Sequence, residues 1–424
     1  MTTAQEGRHG SLPTTPTATT ANTATTAAAI AGLTARDTAL AALSAVLDPG
    51  QRCAALDAAS HITRLRYKPG SSVVASLAIT TSSGDTGTGW IAAYADPTKA
   101  HKTLARAHRS GFSARAVDGV PGVLVGETCA DRMLSLPLAE IRALAPDLLA
   151  DATVLRHNPH RRVVFRSRRE GTPVVLKVSA ADGDRAVADA CPGGSAARQS
   201  ALNTLERGGV AVLRPRAVHG VPGVETVPWW GDGDLATLAV PGAADTAGQQ
   251  LAVLHNARPA DFLTLSGGVD HGAASRAAAQ VIATILPQHT ERAAHLAAAL
   301  QGAAAALPPR RHALVHGDFS PDQVLVGSGD VRLIDFDRAG IDYAERDLGA
   351  FAASAELLGC PALADKLLTG YTDAGATFDN TALHLFTALA LMQRSVEPFR
   401  AQTHDWAAQT ARILDLVERE VALC

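Results

Sequence analysis

Three oxygen-bearing side chains, Asp318, Gln323 and Asp335, fall within the segment His316 to Asp337, which reads HGDFSPDQVLVGSGDVRLIDFD. Val324-Leu325-Val326 and Val331-Arg332-Leu333-Ile334 are two short apolar runs separated by the turn sequence Gly327-Ser328-Gly329-Asp330, the pattern of a hairpin. An antiparallel hairpin brings its open ends together. The ends here are the loop from Asp318 to Gln323 and the residue Asp335, so two carboxylates and an amide converge. Hard oxygens arranged this way suit Mg²⁺, which binds through one or two carboxylates together with substrate phosphates. A further carboxylate can orient a hydroxyl nucleophile. These are the parts that phosphoryl transfer requires.

HGD, four residues, an amide, and then a strand ending in IDFD resembles the aminoglycoside phosphotransferase and choline kinase superfamily. That group shares the protein-kinase fold and phosphorylates small molecules. Its usual motif is HGDxxxxN. Here the amide is Gln323, a form similar to the maltokinase and glucosamine kinase-like proteins of actinobacteria. The resemblance implies that Asp318 is the catalytic base and that Gln323 and Asp335 are Mg²⁺ ligands. It also implies an α+β, bilobal kinase-like fold with a small β-rich N-lobe and a larger helical C-lobe. Gln in place of Asn adds one methylene and keeps the carbonyl oxygen, so metal binding should survive with altered geometry. Asp322 and Asp337 are further carboxylates beside the motif, and His316 is expected to order the loop.

The elements that must position these groups include an internal repeat. LRYKPGSSVVAS at 65–76 matches LRHNPHRRVVFR at 155–166, with a Pro three residues past the Arg and then a Val-Val pair. Each copy leads through a turn to another strand, GWIAAYA at 89–95 and PVVLKVS at 173–179, and then to helix-forming sequence at 96–107 and about 184–190. A duplicated strand-turn-strand-helix unit is the simplest account. Strand alternation puts Val174, Leu176 and Val178 on one face and Val175, Lys177 and Ser179 on the other. A lysine in an apolar strand is costly to bury unpaired and makes sense if it meets phosphates. Lys177 is therefore the expected nucleotide contact. The first copy, with Ala93 aligned to it, reads as a pseudo-lobe, in keeping with the N-terminal cap of maltokinase-like proteins.

The expected division is a disordered Thr/Ala-rich tail over 1–35, a cap over 36–150, an N-lobe over 151–240 and a helical C-lobe over 241–424. A helix is expected at 36–47. The chain should cross between lobes at 231–242, with a short strand at 235–240, where adenine would bind. No GxGxxG loop is present. The acidic helix residue that normally pairs with the strand lysine in kinases is not visible: the helix at 196–207 has Arg198-Gln199 there, which leaves Asp184, Asp189 or no pair at all. Asp347 is expected to brace the catalytic loop, His255 to pack inside the C-lobe, and Trp406 to anchor the core.

The 424 residues, 47% hydrophobic and 19% charged, fit a globular protein of two or three domains. A net charge of −3 indicates no broad basic surface for nucleic acid or acidic lipid. No apolar run is long enough to span a bilayer, and five dispersed cysteines form no CxxC pair, so a reducing cytoplasm is the expected location. The function expected is ATP- and Mg²⁺-dependent transfer of a γ-phosphoryl group to a hydroxyl of a small molecule, a sugar or amino sugar. Phosphorylation of an aminoglycoside-type antibiotic is the alternative within the same chemistry, and a catalytically inactive pseudokinase is the alternative outside it. A protein kinase is disfavoured by HGD in place of HRD and by the lack of an APE-like segment.

Overall fold

The computed structural model describes residues 16–81, 83–180, 194–257 and 270–424. Two five-stranded antiparallel sheets follow one another in the chain. The first comprises β1 (Ala59–Lys68), β2 (Ser72–Thr80), β3 (Thr86–Tyr94), β4 (Ala114–Ala116) and β5 (Val123–Glu127), in the spatial order β1-β2-β3-β5-β4. The second comprises β6 (Thr153–Asn158), β7 (Arg162–Arg169), β8 (Thr172–Ser179), β9 (Arg216–Ala217) and β10 (Val224–Pro228), in the equivalent order β6-β7-β8-β10-β9.

The duplication reaches individual hydrogen bonds. Arg66 pairs with Val74 and Val74 with Ala92, while Arg156 pairs with Val164 and Val164 with Lys177. The counterpart of Lys177 is thus Ala92, not Ala93 as the sequence alignment suggested, because the connection before β8 is shorter than that before β3. The last two strands of each sheet are joined by an identical run, Gly119-Val120-Pro121-Gly122-Val123 and Gly220-Val221-Pro222-Gly223-Val224. Gly122 and Gly223 both have positive φ, 78° and 75°. Each accepts a bond from the preceding central strand, Tyr94 N–H to Gly122 O at 3.1 Å and Ser179 N–H to Gly223 O at 2.9 Å.

The two sheets are packed differently. On one face of the first, Val74, Trp90, Ala92 and Tyr94 meet Ala100 and Ala107 of the helix Pro97–Arg109. Asp96 caps that helix by accepting from the Thr98 N–H at 2.8 Å. Its other face, with Val73, Ala75, Leu77 and Ile91, joins one core with C-terminal helices through Ile282, Met392 and Trp406. The second sheet buries Val163, Phe165, Leu176 and Val178 against Leu138, Ile141 and Leu148. Its opposite face carries Lys177 and opens on a cleft.

The C-terminal part is helical, with helices at His271–Ile285, Thr290–Ala306, Glu345–Leu357, Ala362–Asp373, Asn380–Arg394 and Trp406–Val421. Trp406 is fully buried at their centre, edge-on to Phe399.

Several expectations need correction. Part of the tail expected to be disordered is a helix, Pro16–Arg36, which packs on the helix Trp406–Val421 and places Leu33 in the core. Its many alanines favour helix, and Leu33 gives it a surface to bury. The helix expected at 36–47 is reduced to Leu43–Leu47. The strand expected at 235–240 is a single helical turn, Leu235–Leu238, started by Asp234, whose carboxylate accepts from the Thr237 N–H at 2.8 Å. Residues 1–15, the helix expected near 184–190, and Asp184 and Asp189 lie outside the described residues, as do the side chains of Arg198 and Gln199.

Candidate active site

The hairpin read from the sequence is present as β11 (Val324–Gly327) and β12 (Asp330–Leu333). At its turn Ser328 and Gly329 both have positive φ, 53° and 77°, the conformation that matches the twist of a two-residue hairpin. At its open end the Ile334 N–H donates to Gln323 O at 3.1 Å, so the residue before Asp335 is tied to the end of the loop that begins at Asp318.

Asp347 shapes that loop. It is fully buried, and its two carboxylate oxygens accept from the backbone N–H groups of His316, at 2.6 Å, and Gly317, at 2.8 Å. His255 Nε2 lies 3.2 Å from Asp347 Oδ2, and the other ring nitrogen of His255 lies 2.9 Å from the Tyr371 hydroxyl. Burial alone would raise the pKa of Asp347, but the hydrogen bond and charge of His255, helped by His316, hold it below the ordinary carboxylate value. Gly317 has φ of 81°, and a Cβ there would sit 2.0 Å from the Arg338 carbonyl oxygen, so only glycine fits. His316 Nε2 lies 2.8 Å from the carbonyl oxygen of Ile334, the residue after β12, which joins the loop to the end of that strand rather than to the Asp335 side chain.

Asp318, Gln323, Asp335 and Lys177 all line one cleft of about 610 Å³. Lys177 Nζ reaches Asp335 Oδ1 at 3.2 Å, and the Arg162 guanidinium lies 3.4 Å from both Asp335 and Asp337. Burial would raise the Asp335 pKa; Lys177 first and Arg162 second outweigh it and hold the carboxyl well below its ordinary range. Asp318 is about half exposed and faces Arg338 at 3.4 Å. The Gln323 amide nitrogen donates to Asp322 at 3.2 Å, which leaves its carbonyl oxygen to point elsewhere. Among the described residues no three His, Cys, Asp or Glu side chains gather into an all-protein metal cage. The donor set around Asp335 and Gln323 instead fits a hard ion that takes the rest of its oxygens from a ligand.

Sequence reasoning missed three features. The first is Arg162, one strand away from Lys177 on the same face. The second is Glu225, which stands directly opposite Lys177 in the β8–β10 ladder and so shares its face of the sheet. The third is the anchoring of the β6–β7 turn, Asn158 to Arg162, which lines the cleft. Asp131, buried in the connection between the sheets, accepts from the His160 N–H at 2.9 Å and lies 3.0 Å from His157 Nε2.

The phosphotransferase enzyme family model matches residues 140–386, more than half of the chain. No curated protein matches it. Among solved structures, spectinomycin phosphotransferase in complex with ADP and spectinomycin superposes with a TM-score of 0.50 at 12% identity, over 68% of this chain and 98% of that one. A choline/ethanolamine kinase family protein from Mesorhizobium loti gives 0.47 at 17% identity, over 69% and 98%. An aminoglycoside-3'-phosphotransferase of type VIII gives 0.45 at 18%, over 62% and 99%.

Proposed function

Because this chain belongs to the phosphotransferase enzyme family, we propose that it moves the γ-phosphoryl group of ATP to a hydroxyl of a sugar-like small molecule. The observation that carries this reading is the convergence of Lys177, Asp318, Gln323 and Asp335 on one cleft, with Lys177 already aimed at Asp335.

In this reading Lys177 and Arg162 turn from Asp335 to the nucleotide phosphates as these enter, and so neutralise charge that would otherwise repel the incoming hydroxyl oxygen. Asp335 and the Gln323 carbonyl would hold the divalent metal. When bound, the metal supplies charge to the phosphate oxygens. Asp318 accepts the acceptor's hydroxyl proton while that oxygen forms its bond to phosphorus, and the bond from phosphorus to the β–γ bridging oxygen breaks to release ADP. Asp347 and His255 keep the loop carrying Asp318 in place, and positioning of this kind is a large share of what such a site contributes.

The choice of a sugar over an aminoglycoside rests on charge. A polycationic acceptor needs a cluster of acids. Asp379 is paired with Arg310 at 3.0 Å and Glu356 with Arg419 at 3.3 Å, and neither lines the cleft. The amide variant Gln323 and the cap sheet add to this preference, by their resemblance to maltokinase-like and glucosamine kinase-like proteins.

The test is Mg²⁺-dependent ADP release against sugars, amino sugars and aminoglycosides, with Asp318→Asn as control. Acceptor-dependent turnover that drops about 10²–10⁴-fold in the variant is expected. Turnover unchanged in Asp318→Asn would refute the assignment of the base, and loss of all nucleotide binding by the wild type would refute the enzyme.

A further inference from the structure

Apart from Lys177, Arg161, Arg162 and Asp335 at the end assigned to the nucleotide, the described lining of the cleft includes five arginines, Arg64, Arg156, Arg338, Arg394 and Arg400. Facing them are three acids, Asp318, Asp322 and Glu397, which leaves two positive charges in excess. The pairings locate the excess. Arg338 lies 3.4 Å from Asp318, and Arg156 lies 4.0 Å from Asp322. Arg64 and Arg400 share the single carboxylate of Glu397, Arg400 at 2.7 Å. The Arg394 guanidinium has no hydrogen bond within 3.5 Å and no ion pair within 4.0 Å among the described residues, although it senses the charges of Asp318, Asp322 and Glu397.

A partly buried guanidinium without a bonded partner is an expensive arrangement. Burial pulls the Arg394 pKa down, which is the mark of that cost. The cost is recovered when an anion brings oxygens to the planar fork of donors, the geometry in which arginine binds phosphate and carboxylate. A cation entering here would meet further repulsion.

We infer that the acceptor carries a phosphate or carboxylate group that seats against Arg394, flanked by Arg64 and Arg400. This inference rests on the phosphotransferase reading of the same cleft and names its substrate class: a hydroxylated small anion. It also gives the first sheet a task. Arg64 is on β1, and its ion pair with Glu397, 333 residues away, brings that sheet to the acceptor end of the cleft. Arg64 and Arg400 are then specificity residues held in place by Glu397.

The test is calorimetric titration of the full chain, saturated with Mg²⁺ and AMP-PNP, with four probes: glucose 1-phosphate, glucuronate, glucose and kanamycin. At least one anionic probe is expected to bind ten-fold or more tightly than glucose, and the two anions distinguish phosphate from carboxylate recognition. In Arg394→Gln the ratio of anion to glucose affinity should collapse toward one, with Arg394→Lys retaining part of it. A ratio has an internal control for misfolding, because both affinities come from the same sample. Glucose or kanamycin binding as tightly as both anions would overturn the proposal. So would anions that fail to bind while Mg²⁺–AMP-PNP binds normally, an outcome that leaves the phosphotransferase reading standing. Failure of the nucleotide itself to bind would remove that underlying reading as well.

Discussion

Asp131 holds the β6–β7 turn by the backbone of His160, 2.9 Å away, as Asp37 holds the β1–β2 turn by the backbone of Gly70, also at 2.9 Å. Each carboxylate also has a second tie three residues earlier, to His157 at 3.0 Å and to the Tyr67 hydroxyl at 2.6 Å. His160 and Gly70 share positive φ values, 61° and 65°. The turn over the cleft is thus fixed by a buried carboxylate that precedes its sheet, whereas a glycine-rich loop would move freely. Asp131→Ala should raise the KM for ATP about ten-fold or more, by freeing Arg161 and Arg162 from a set position. It should also destabilise the protein by about 3–5 kcal/mol, since buried partners are left unmatched. Nucleotide kinetics and chemical denaturation on the same samples check both.

The same carboxylate makes acid stability specific. Burial would raise the Asp131 pKa, but the hydrogen bond of His157 and the charges of His160 and His157 bring it from 3.8 to about 2. A carboxyl depressed in the folded state stabilises above its unfolded pKa, and that contribution is lost as pH falls through the folded value. The wild type should lose about 2 kcal/mol between roughly pH 4 and pH 2 through this group. Asp131→Asn, lower in stability at neutral pH, should show a shallower decline in that window. Equal slopes for the two proteins would show that the Asp131 carboxylate is not coupled to folding.

Lys177 stands opposite Glu225, with Asp335 at 3.2 Å. We expect Glu225 to serve as an acidic partner of Lys177. Glu225→Gln should lower kcat/KM for ATP about ten-fold, and Lys177→Met by about 10²–10³-fold, with the double variant no worse than Lys177→Met alone. Additive losses in that cycle would separate the two residues.

Gly317→Ala places a methyl where the Arg338 carbonyl oxygen lies at 2.0 Å and forces a strained φ. Destabilisation by more than about 1 kcal/mol is expected, together with near loss of turnover, since Asp318 is the next residue. Retained activity would mean that the loop can rearrange around Asp347 without cost.

The catalytic hairpin was legible because its apolar runs, turn residues and carboxylates lie within 22 consecutive residues. The helices of the C-terminal part were legible from their period, to within a few residues at each end. The strand expected after the second sheet failed because the short run from Leu235 to Val240, five of its six residues apolar, fits either element. The capping carboxylate of Asp234 decided for a helix, and its position just before Leu235 was a usable signal. The repeated GVPGV would have extended the duplication to all five strands of each sheet. Arg64 and Arg394 could not be assigned to the cleft from sequence. Each is an ordinary arginine on a strand or helix until the fold brings residues hundreds of positions apart together.

The first sheet retains the topology of a nucleotide lobe, but Trp90 and Tyr94, packed under the helix Pro97–Arg109, fill the face that Lys177 leaves open in the second. Of the two sheets the second alone keeps that face open, and we expect nucleotide binding to saturate at one equivalent. In the first sheet the equivalent face is closed by a hydrophobic plug, so that sheet serves the molecule as a foundation.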